Sequence, residues 1–576
     1  TNHYKPIKMK SEIINRIASL RNFMRKHKLS AFIIPSTDPH SGEYIPKHWE
    51  ARKWISGFTG SAGTVVVTLD KAGLWTDSRY FLQAAEQLEN TGITLFKERL
   101  PETPSIVEWL GCVLNAEDNV GIDGWVNSYQ ETSNLQKELE KKQIHLTLAP
   151  DPFNELWTDR PALPDNKVFI HELKYAGLSY KDKITQIREA IRRNSCTGIL
   201  ISALDEVAWT LNLRGSDVHC NPVFVSYLLI TEYSSTLYII ENKLSDEVKD
   251  YLTENEIKVR PYSTIEKDLK DFTGKLLLSA NINAAVHAAA CAHSLIEIAP
   301  SPVLFLKAIK NETEIEGFHR AMKRDGVAMV KFRAGQDYFN GISFDTIAGY
   351  KAHGAIVHYE ATPETDIPLK PEGMLLLDSG AQYLDGTTDI TRTIVLGALT
   401  KEEKTDYTLV LKGFIQLSMA QFPHGTCGTQ LDALARLPMW KAGINYLHGT
   451  GHGVGCFLNV HEGPHQFRMN HMPALLVPGM TVTNEPGIYK TGRHGVRTEN
   501  TMLIVPSQET EFGTYYKFEP LTLCPIDKEA ILTDMLSDEE ITWFNQYHEK
   551  VYNCLNPELN NEEREWLKEV TSPLKR

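Results

Sequence analysis

At 576 residues the chain is several times longer than one ordinary hydrophobic core supports, so two to four domains are expected. Its 42% hydrophobic and 23% charged residues sit near globular averages and exclude a disordered, collagenous or fibrous chain. A formal charge of −13, with no long Lys/Arg run, offers little to a phosphate backbone, so no nucleic-acid partner is expected.

The opening TNHYKPIKMKSEIINRI lacks the apolar core of a secretory signal. Apolar runs such as AFIIP, TVVVT and MLLL are strand-sized, far below the ~20 residues that cross a bilayer, so a soluble protein with no membrane partner is expected. Eight cysteines, at 112, 196, 220, 291, 427, 456, 524 and 554, form no C-x-x-C pair, which favours a reducing compartment, the cytoplasm by default. Residues 11–29 read as an amphipathic helix with Ile13, Ile14, Ile17, Leu20 and Met24 on one stripe, followed by a strand over Ser30–Pro35. A glycine-rich turn and β-branched run at Gly57–Thr68, then Leu74–Arg79 and a helix carrying Phe81, Ala84, Ala85 and Leu88, complete an α/β pattern. The proline-rich Pro152–Pro164 reads as a connector and sets the first domain at 1–158. The order then repeats, with a helix at Tyr180–Arg193 and strands at Gly198–Ser202 and Val223–Ile230, so a related second domain is expected over 159–302. From Glu312–Lys331, a charged helix, the third region (303–576) turns to strands broken by glycine.

The chemistry concentrates there. In MLLLDSGAQYLDGTTDITRTIVLG, two apolar arms flank Leu384-Asp385-Gly386, with Asp378 on one and Asp389 on the other. A plain hairpin centred on Asp385 sets Asp378 opposite Arg392, so bringing Asp389 alongside requires a register shift at Gly380 or a bulge. Taken alone, the two aspartates read equally well as turn residues on a wet surface. Glu485 and Glu499 each lie seven residues from Gly492 in KTGRHG, so a hairpin there pairs them directly. Such a like-charge pair calls for a metal, a shared proton or solvent. LHGTGHGVGCFLNVHEGP places His448, His452 and His461 amid five glycines, which argues against a helix and lets backbone approach a ligand closely. Four carboxylates with one imidazole carry a formal charge of −4, which two divalent cations would cancel. Oxygen-rich ligation with a single nitrogen suits manganese and leaves zinc or cobalt open.

Asp378, Asp389, His452, Glu485 and Glu499 fall on the five-ligand pattern of the pita-bread metallopeptidases. GAIVHY, DGTTDITRT, LHGTGHGVG, NVHEGP, NEPG and RTEN resemble, within that superfamily, the long three-domain form of the Xaa-Pro aminopeptidase (aminopeptidase P) family. So do SGEYI, SGFTGSAGT, LWTDSRYFLQAA, WTDRP, ALDEVAW, LNLRGSDV, NPVF and FEPLTLCPID, so that the likeness spans nearly the whole chain. It departs between Phe332 and Arg333, where the family carries a further stretch of helix and loop.

The resemblance implies an α/β (α+β) chain of two related creatinase-like domains followed by a pita-bread catalytic domain. It implies hydrolysis of the bond between an N-terminal residue and a penultimate proline by a hydroxide activated at a dinuclear metal site. Asp378 would chelate one ion and His452 the other, with Asp389, Glu485 and Glu499 linking them and Glu485 also placed to take the water's proton. His358, His448 and His461 match the family's non-ligand active-site histidines, and Arg497 would orient a carboxylate. A homodimer acting on peptides with proline in second position is implied as well. A prolidase, restricted to dipeptides, or a non-catalytic pita-bread binding protein are the alternatives.

Overall fold

The computed structural model describes residues 4–331, 338–363 and 365–576, and the junction between Phe332 and Arg333 lies outside them. The first helix spans Tyr4–Lys26 and buries Ile13, Ile17, Leu20, Phe23 and Met24, a stripe at spacings of three and four. Ile14, one position round the helix, is instead 50% exposed. Full burial of such a side chain contributes roughly 1.5–3 kcal/mol, so Phe23 and not Ile14 belongs to the face that seats this helix.

The chain divides into two units. One comprises Thr1–Ile170, Tyr180–His219 and Val223–Pro302, the other His171–Ser179, Cys220–Pro222 and Val303–Arg576. In the first unit, β1 (Ala31–Ile34), β2 (Thr64–Thr68), β3 (Ala72–Thr76), β4 (Thr94–Lys97), β5 (Asn119–Asp123) and β6 (His145–Ala149) form a sheet in the order β4-β3-β2-β1-β5-β6. A second sheet is built from β7 (Gly198–Ile201), β8 (Ser226–Thr231), β9 (Ser235–Ile239), β10 (Ile257–Pro261), β11 (Gly274–Leu278) and β12 (Ser294–Ile298). Its order is β10-β9-β8-β7-β11-β12, the same path. In both sheets the first strand pairs antiparallel with the second and parallel with the fifth. The repetition expected from the sequence is therefore a repetition of topology. The two modules share hydrogen bonds: His40 Nδ1 donates to Ser202 O at 2.7 Å and Nε2 meets Tyr262 OH at 2.9 Å. The proline-rich segment after β6 is packed rather than loose, with Phe153 and Trp157 buried and Trp157 stacked on Trp54 at 5.5 Å.

Two hairpins of the second unit position the candidate residues. In the first, β13 (Ile347–Tyr350), β14 (Met374–Ser379) and β17 (Ile390–Val395) form one sheet, while β15 (Ala381–Tyr383) and β16 (Gly386–Thr387) continue the hairpin into another. β18 (Gly451–Gly453) pairs with β19 (Glu462–Phe467). The second hairpin runs from β20 (Thr481–Asn484) through β21 (Gly487–Lys490), back through β22 (His494–Arg497) to β23 (Asn500–Thr510). Its core face is covered by the helices Lys401–Ser418, Gly428–Lys441 and Asp538–Leu555, whose Phe414, Met439, Phe544 and Val551 join Met374, Ile488 and Val496 in one apolar cluster. Among the described residues, no helix is long and apolar enough to cross a membrane.

Candidate metal centre

Both hairpins keep one register from end to end and both interrupt their ladders where carboxylates emerge. In the second, Asn484 pairs with Asn500 and Gly487 with Arg497, so Glu485 and Glu499 face each other across the break, as their symmetry about Gly492 predicts. Freed from the ladder, Glu485 N–H donates to Thr450 O at 2.8 Å and Glu499 N–H to Thr391 O at 3.1 Å. Both of these backbone donors are thereby satisfied.

The first hairpin corrects the sequence reading. Asp378 pairs with Thr391, not Arg392, because Tyr383 and Gly386 close a two-residue turn over Leu384 and Asp385. No shift of register follows at Gly380. Position 389 lies opposite 380, and 380 shares a face with 378, so the two aspartates are diagonal neighbours on one face without any bulge. Glycine is required at 380 by close approach, since a Cβ there would overlap Ser343 Oγ and Thr388 O. Asp378 extends the same face along which Met374 and Leu376 are buried.

His452 arrives on β18, laid against β20, and its N–H donates to Thr483 Oγ1 at 3.1 Å. The close approach requires glycine at 451, where a Cβ would overlap the Thr483 carbonyl oxygen. Gly451→Ala is expected to cost about 1–3 kcal/mol in urea unfolding, because backbone must move to admit the methyl group.

Three overlapping groups of side chains bring ligand atoms within 4.8 Å of one another: Asp378, Asp389 and Glu499; His452, Glu485 and Glu499; and Asp389, His452 and His461. No group holds both Asp378 and His452, which stand at opposite ends. His452 Nδ1 donates to Gly453 O at 2.8 Å, leaving Nε2 3.4 Å from both Asp389 and Glu485. A backbone carbonyl on one imidazole nitrogen with the other turned into a carboxylate cluster is the usual posture of a metal-ligating histidine. Asp378 Oδ1 is buried without a hydrogen-bond partner. Burial, then the neighbouring Asp389 and Glu485 charges, push the Asp378 carboxyl up to about 6 against the pull of Arg497. Burial and the charges of Asp389, Glu485 and Asp378 lift Glu499 far above the carboxylate range. Glu485, although buried, is held down at about 2 by His452, whose own pKa rises despite burial because two carboxylates face it. An orphaned carboxylate oxygen and mutually repelling acids are what a cation pair would relieve, and these residues fit one.

Arg497 ties the surroundings together. It donates to Asp378 Oδ2 at 2.6 Å, to Thr391 Oγ1 at 3.2 Å and to Tyr489 OH at 2.8 Å, and Thr391 Oγ1 in turn donates to Glu499 Oε2 at 2.7 Å. Since an arginine can only donate, the Tyr489 hydroxyl spends its hydrogen on His448 Nε2 at 2.8 Å, and His448 Nδ1–H goes to Gly449 O. His448 is thus neutral and engaged on both nitrogens, with burial pushing it down to about 4. The His461 ring meets that of His452 edge-on at 4.4 Å between centroids. His358 is half-buried beside Val357, whose carbonyl accepts from Arg497 at 3.5 Å. Tyr489, Thr391 and Thr483, which donates to Glu485 Oε1 at 3.2 Å, were not singled out by sequence. The face parity of the hairpins could have found them: 485 and 489 share a face, as do 389 and 391.

This fold and this cluster define a metallopeptidase of family M24. The model for that family matches residues 275–506 and the model for its C-terminal region 514–574. Two models of the creatinase/prolidase N-terminal domain match 16–150 and 159–314, so two such domains precede the pita-bread domain. Xaa-Pro aminopeptidase 1 of Dictyostelium discoideum is 39% identical over 98% of this chain and 97% of its own length. Aminopeptidase P1 of Arabidopsis thaliana is 37% identical over 97% and 99%. The solved X-prolyl aminopeptidase of Caenorhabditis elegans, a cytosolic enzyme with a di-nuclear active site, matches with a TM-score of 0.93 at 32% identity, covering 98% of this chain and 100% of that one. The chain belongs to the Xaa-Pro aminopeptidase (aminopeptidase P) family.

Proposed function

We propose that this protein is a metal-dependent Xaa-Pro aminopeptidase that releases the first residue from peptides with proline in second position. The observation that carries the reading is the convergence of Asp378, Asp389, His452, Glu485 and Glu499 at the breaks of two hairpins, in a chain that matches Xaa-Pro aminopeptidases over nearly its whole length. Asp378 would hold one divalent ion and His452 the other, with Asp389, Glu485 and Glu499 between them. Manganese is the preferred identity for so oxygen-rich a set, with zinc or cobalt as alternatives. Bound there, two such ions lower the pKa of a water toward neutrality and polarise the scissile carbonyl.

The remaining work falls to the protein. Glu485, steadied by the Thr483 hydroxyl on Oε1, would also take the proton of the attacking water. His461 and His358 serve as donors to the oxyanion and the leaving proline nitrogen. His448, engaged on both nitrogens, holds Tyr489 and through it Arg497, which orients Asp378. A proline in second position has no N–H and a fixed φ, which is the reason a dedicated enzyme is needed. We place the protein in the cytoplasm as a homodimer, with domain boundaries after residues 158 and 302.

Chelation is expected to abolish hydrolysis of an Xaa-Pro-Xaa tripeptide and manganese to restore it. Full activity in the stripped protein would remove the metal from the mechanism, and cleavage confined to Xaa-Pro dipeptides would identify a prolidase instead.

A further inference from the structure

One buried charged cluster has no part in this chemistry, yet begins one residue from His461. The carboxylate of Glu462 is gripped by two lysines: Lys307 Nζ donates to Oε2 at 2.9 Å and Lys310 Nζ donates to Oε1. The three side chains are almost sealed from solvent, at 1%, 0% and 1% exposure for Lys307, Lys310 and Glu462. Taking these three charged groups out of water costs several kcal/mol each before their mutual attraction repays it. Stability alone does not account for such an arrangement, since apolar side chains of similar volume would serve at least as well.

Its geometry bears on the candidate metal centre. Gly451 pairs with Phe467 and His452 with Gln466, but Gly453 pairs with Glu462, so residues 463–465 are looped out between consecutive pairings. Bulges of this kind re-aim side chains. Successive side chains of an extended strand point to opposite faces, so with Glu462 drawn into the lysine pocket His461 is turned the other way. There it meets the His452 ring at 4.4 Å and comes within 4.8 Å of Asp389. The far end of the loop is pinned by His465 Nε2, which donates to Thr481 O at 2.7 Å. The lysine segment is tied in turn to the strand that leads to Glu485: Lys310 N–H donates to Gly479 O at 3.0 Å, and Ile309 bridges to Met480. Its backbone is thereby fixed to one wall of the site and its side chains to the other.

We infer that Lys307, Glu462 and Lys310 form a positioning clamp that sets His461 against the metal-binding cluster. The clamp touches no reacting atom and acts only through His461, so it rests on the reading of His461 as an active-site donor given above. The test compares Glu462→Gln, the fully apolar K307M/E462M/K310M and the conservative variant Lys310→Arg with wild type, all manganese-loaded, on an Xaa-Pro-Xaa tripeptide. Glu462→Gln and the apolar variant are expected to lose about 10- to 100-fold in kcat, the scale of a 1 Å misplacement, with KM changed by less than about twofold. Lys310→Arg, which keeps a cation on Glu462, should retain most of the wild-type kcat. Combined with His461→Ala, Glu462→Gln should cause no further loss, because the residue it positions is already gone. The apolar variant guards against simple unfolding, since it is expected to melt no lower than wild type while still losing activity. Crystal structures give a readout that needs no turnover, with the His461 ring expected to leave its place beside His452 in both variants. An unmoved ring, an unchanged kcat in the apolar variant, or additive losses with His461→Ala would overturn the inference. A wild-type protein inert on Xaa-Pro peptides would defeat the aminopeptidase reading instead, and the ring positions would still decide the clamp.

Discussion

Replacing Glu499 with glutamine is expected to reduce hydrolysis of Xaa-Pro-Xaa peptides by more than about 100-fold, beyond what loss of an outer-shell partner costs, while leaving the metal-free protein almost as heat-stable as before. The two halves of this expectation have separate origins. Glu499, like Asp389, belongs to one group with Asp378 and to another with His452, so it is placed to be shared between two ions. Without ions its pKa is raised well above the carboxylate range, through burial first and then the charges of Asp389, Glu485 and Asp378, which favours the protonated form. A glutamine is nearly isosteric with that protonated acid, and its amide oxygen can still accept from Thr391 Oγ1, now 2.7 Å from Glu499 Oε2. The difference should surface on adding manganese. A ligand at a hundredfold excess over its Kd stabilises the native state by about 2.7 kcal/mol, and the variant should lose most of that increment. Thermal melts with and without manganese, beside a peptide assay, check both halves. A variant with the wild-type rise in melting temperature, or a metal-free variant that no longer folds, would show that Glu499 does not have this place.

The glutamate pair was legible because it rests on arithmetic. Glu485 and Glu499 are equidistant from Gly492, and the hairpin keeps that register through both of its segments. The aspartate pair was legible as residues but not as geometry. Placing the turn centre on Asp385, rather than between Leu384 and Asp385, put Asp378 opposite Arg392 and created a need for a bulge that the structure does not have. Counting face parity instead of direct opposition would have removed it. The repeat of the two N-terminal sheets was visible as an order of elements, although the identical strand path required the pairings themselves. What sequence did not offer was the network behind the ligands. Arg497 reaches Asp378 across 119 positions and Thr391 reaches Glu499 across 108, so no local periodicity carries either contact. The lysines on Glu462 are more remote still, 155 and 152 positions away, and Lys307 lies in a short helix whose pattern gives no reason to bury a charge.

Loading of the metal centre is expected to release protons and to weaken steeply as pH falls, with the opposite trend in the stability of the metal-free protein. Both effects come from the same two acids. Asp378, at about 6, and Glu499, well above the ordinary range, are raised in the folded metal-free state by burial first and then by the neighbouring carboxylates, Asp389 and Glu485 in both cases. Divalent ions require both in the ionised form, so each proton displaced makes the apparent affinity fall about tenfold per pH unit below the pKa concerned. As pH falls and both carboxyls come to be protonated, the slope steepens from about tenfold toward about 100-fold per unit. For the metal-free fold the sign reverses. A carboxyl whose folded pKa exceeds its unfolded value binds protons more tightly when native, so stability is lost as pH rises from the unfolded value of about 4 through the folded one. Titration calorimetry in buffers of different ionisation enthalpy measures the protons released, and chemical unfolding of the stripped protein between pH 5 and pH 8 measures the second trend. Binding without proton release, or a stripped protein that gains stability over that range, would mean that cations are not what these buried acids are arranged to meet. If both trends hold, the repulsion stored among Asp378, Asp389, Glu485 and Glu499 in the empty protein is the same quantity that the ions relieve on binding, and metal occupancy sets the pH range in which the fold itself is secure.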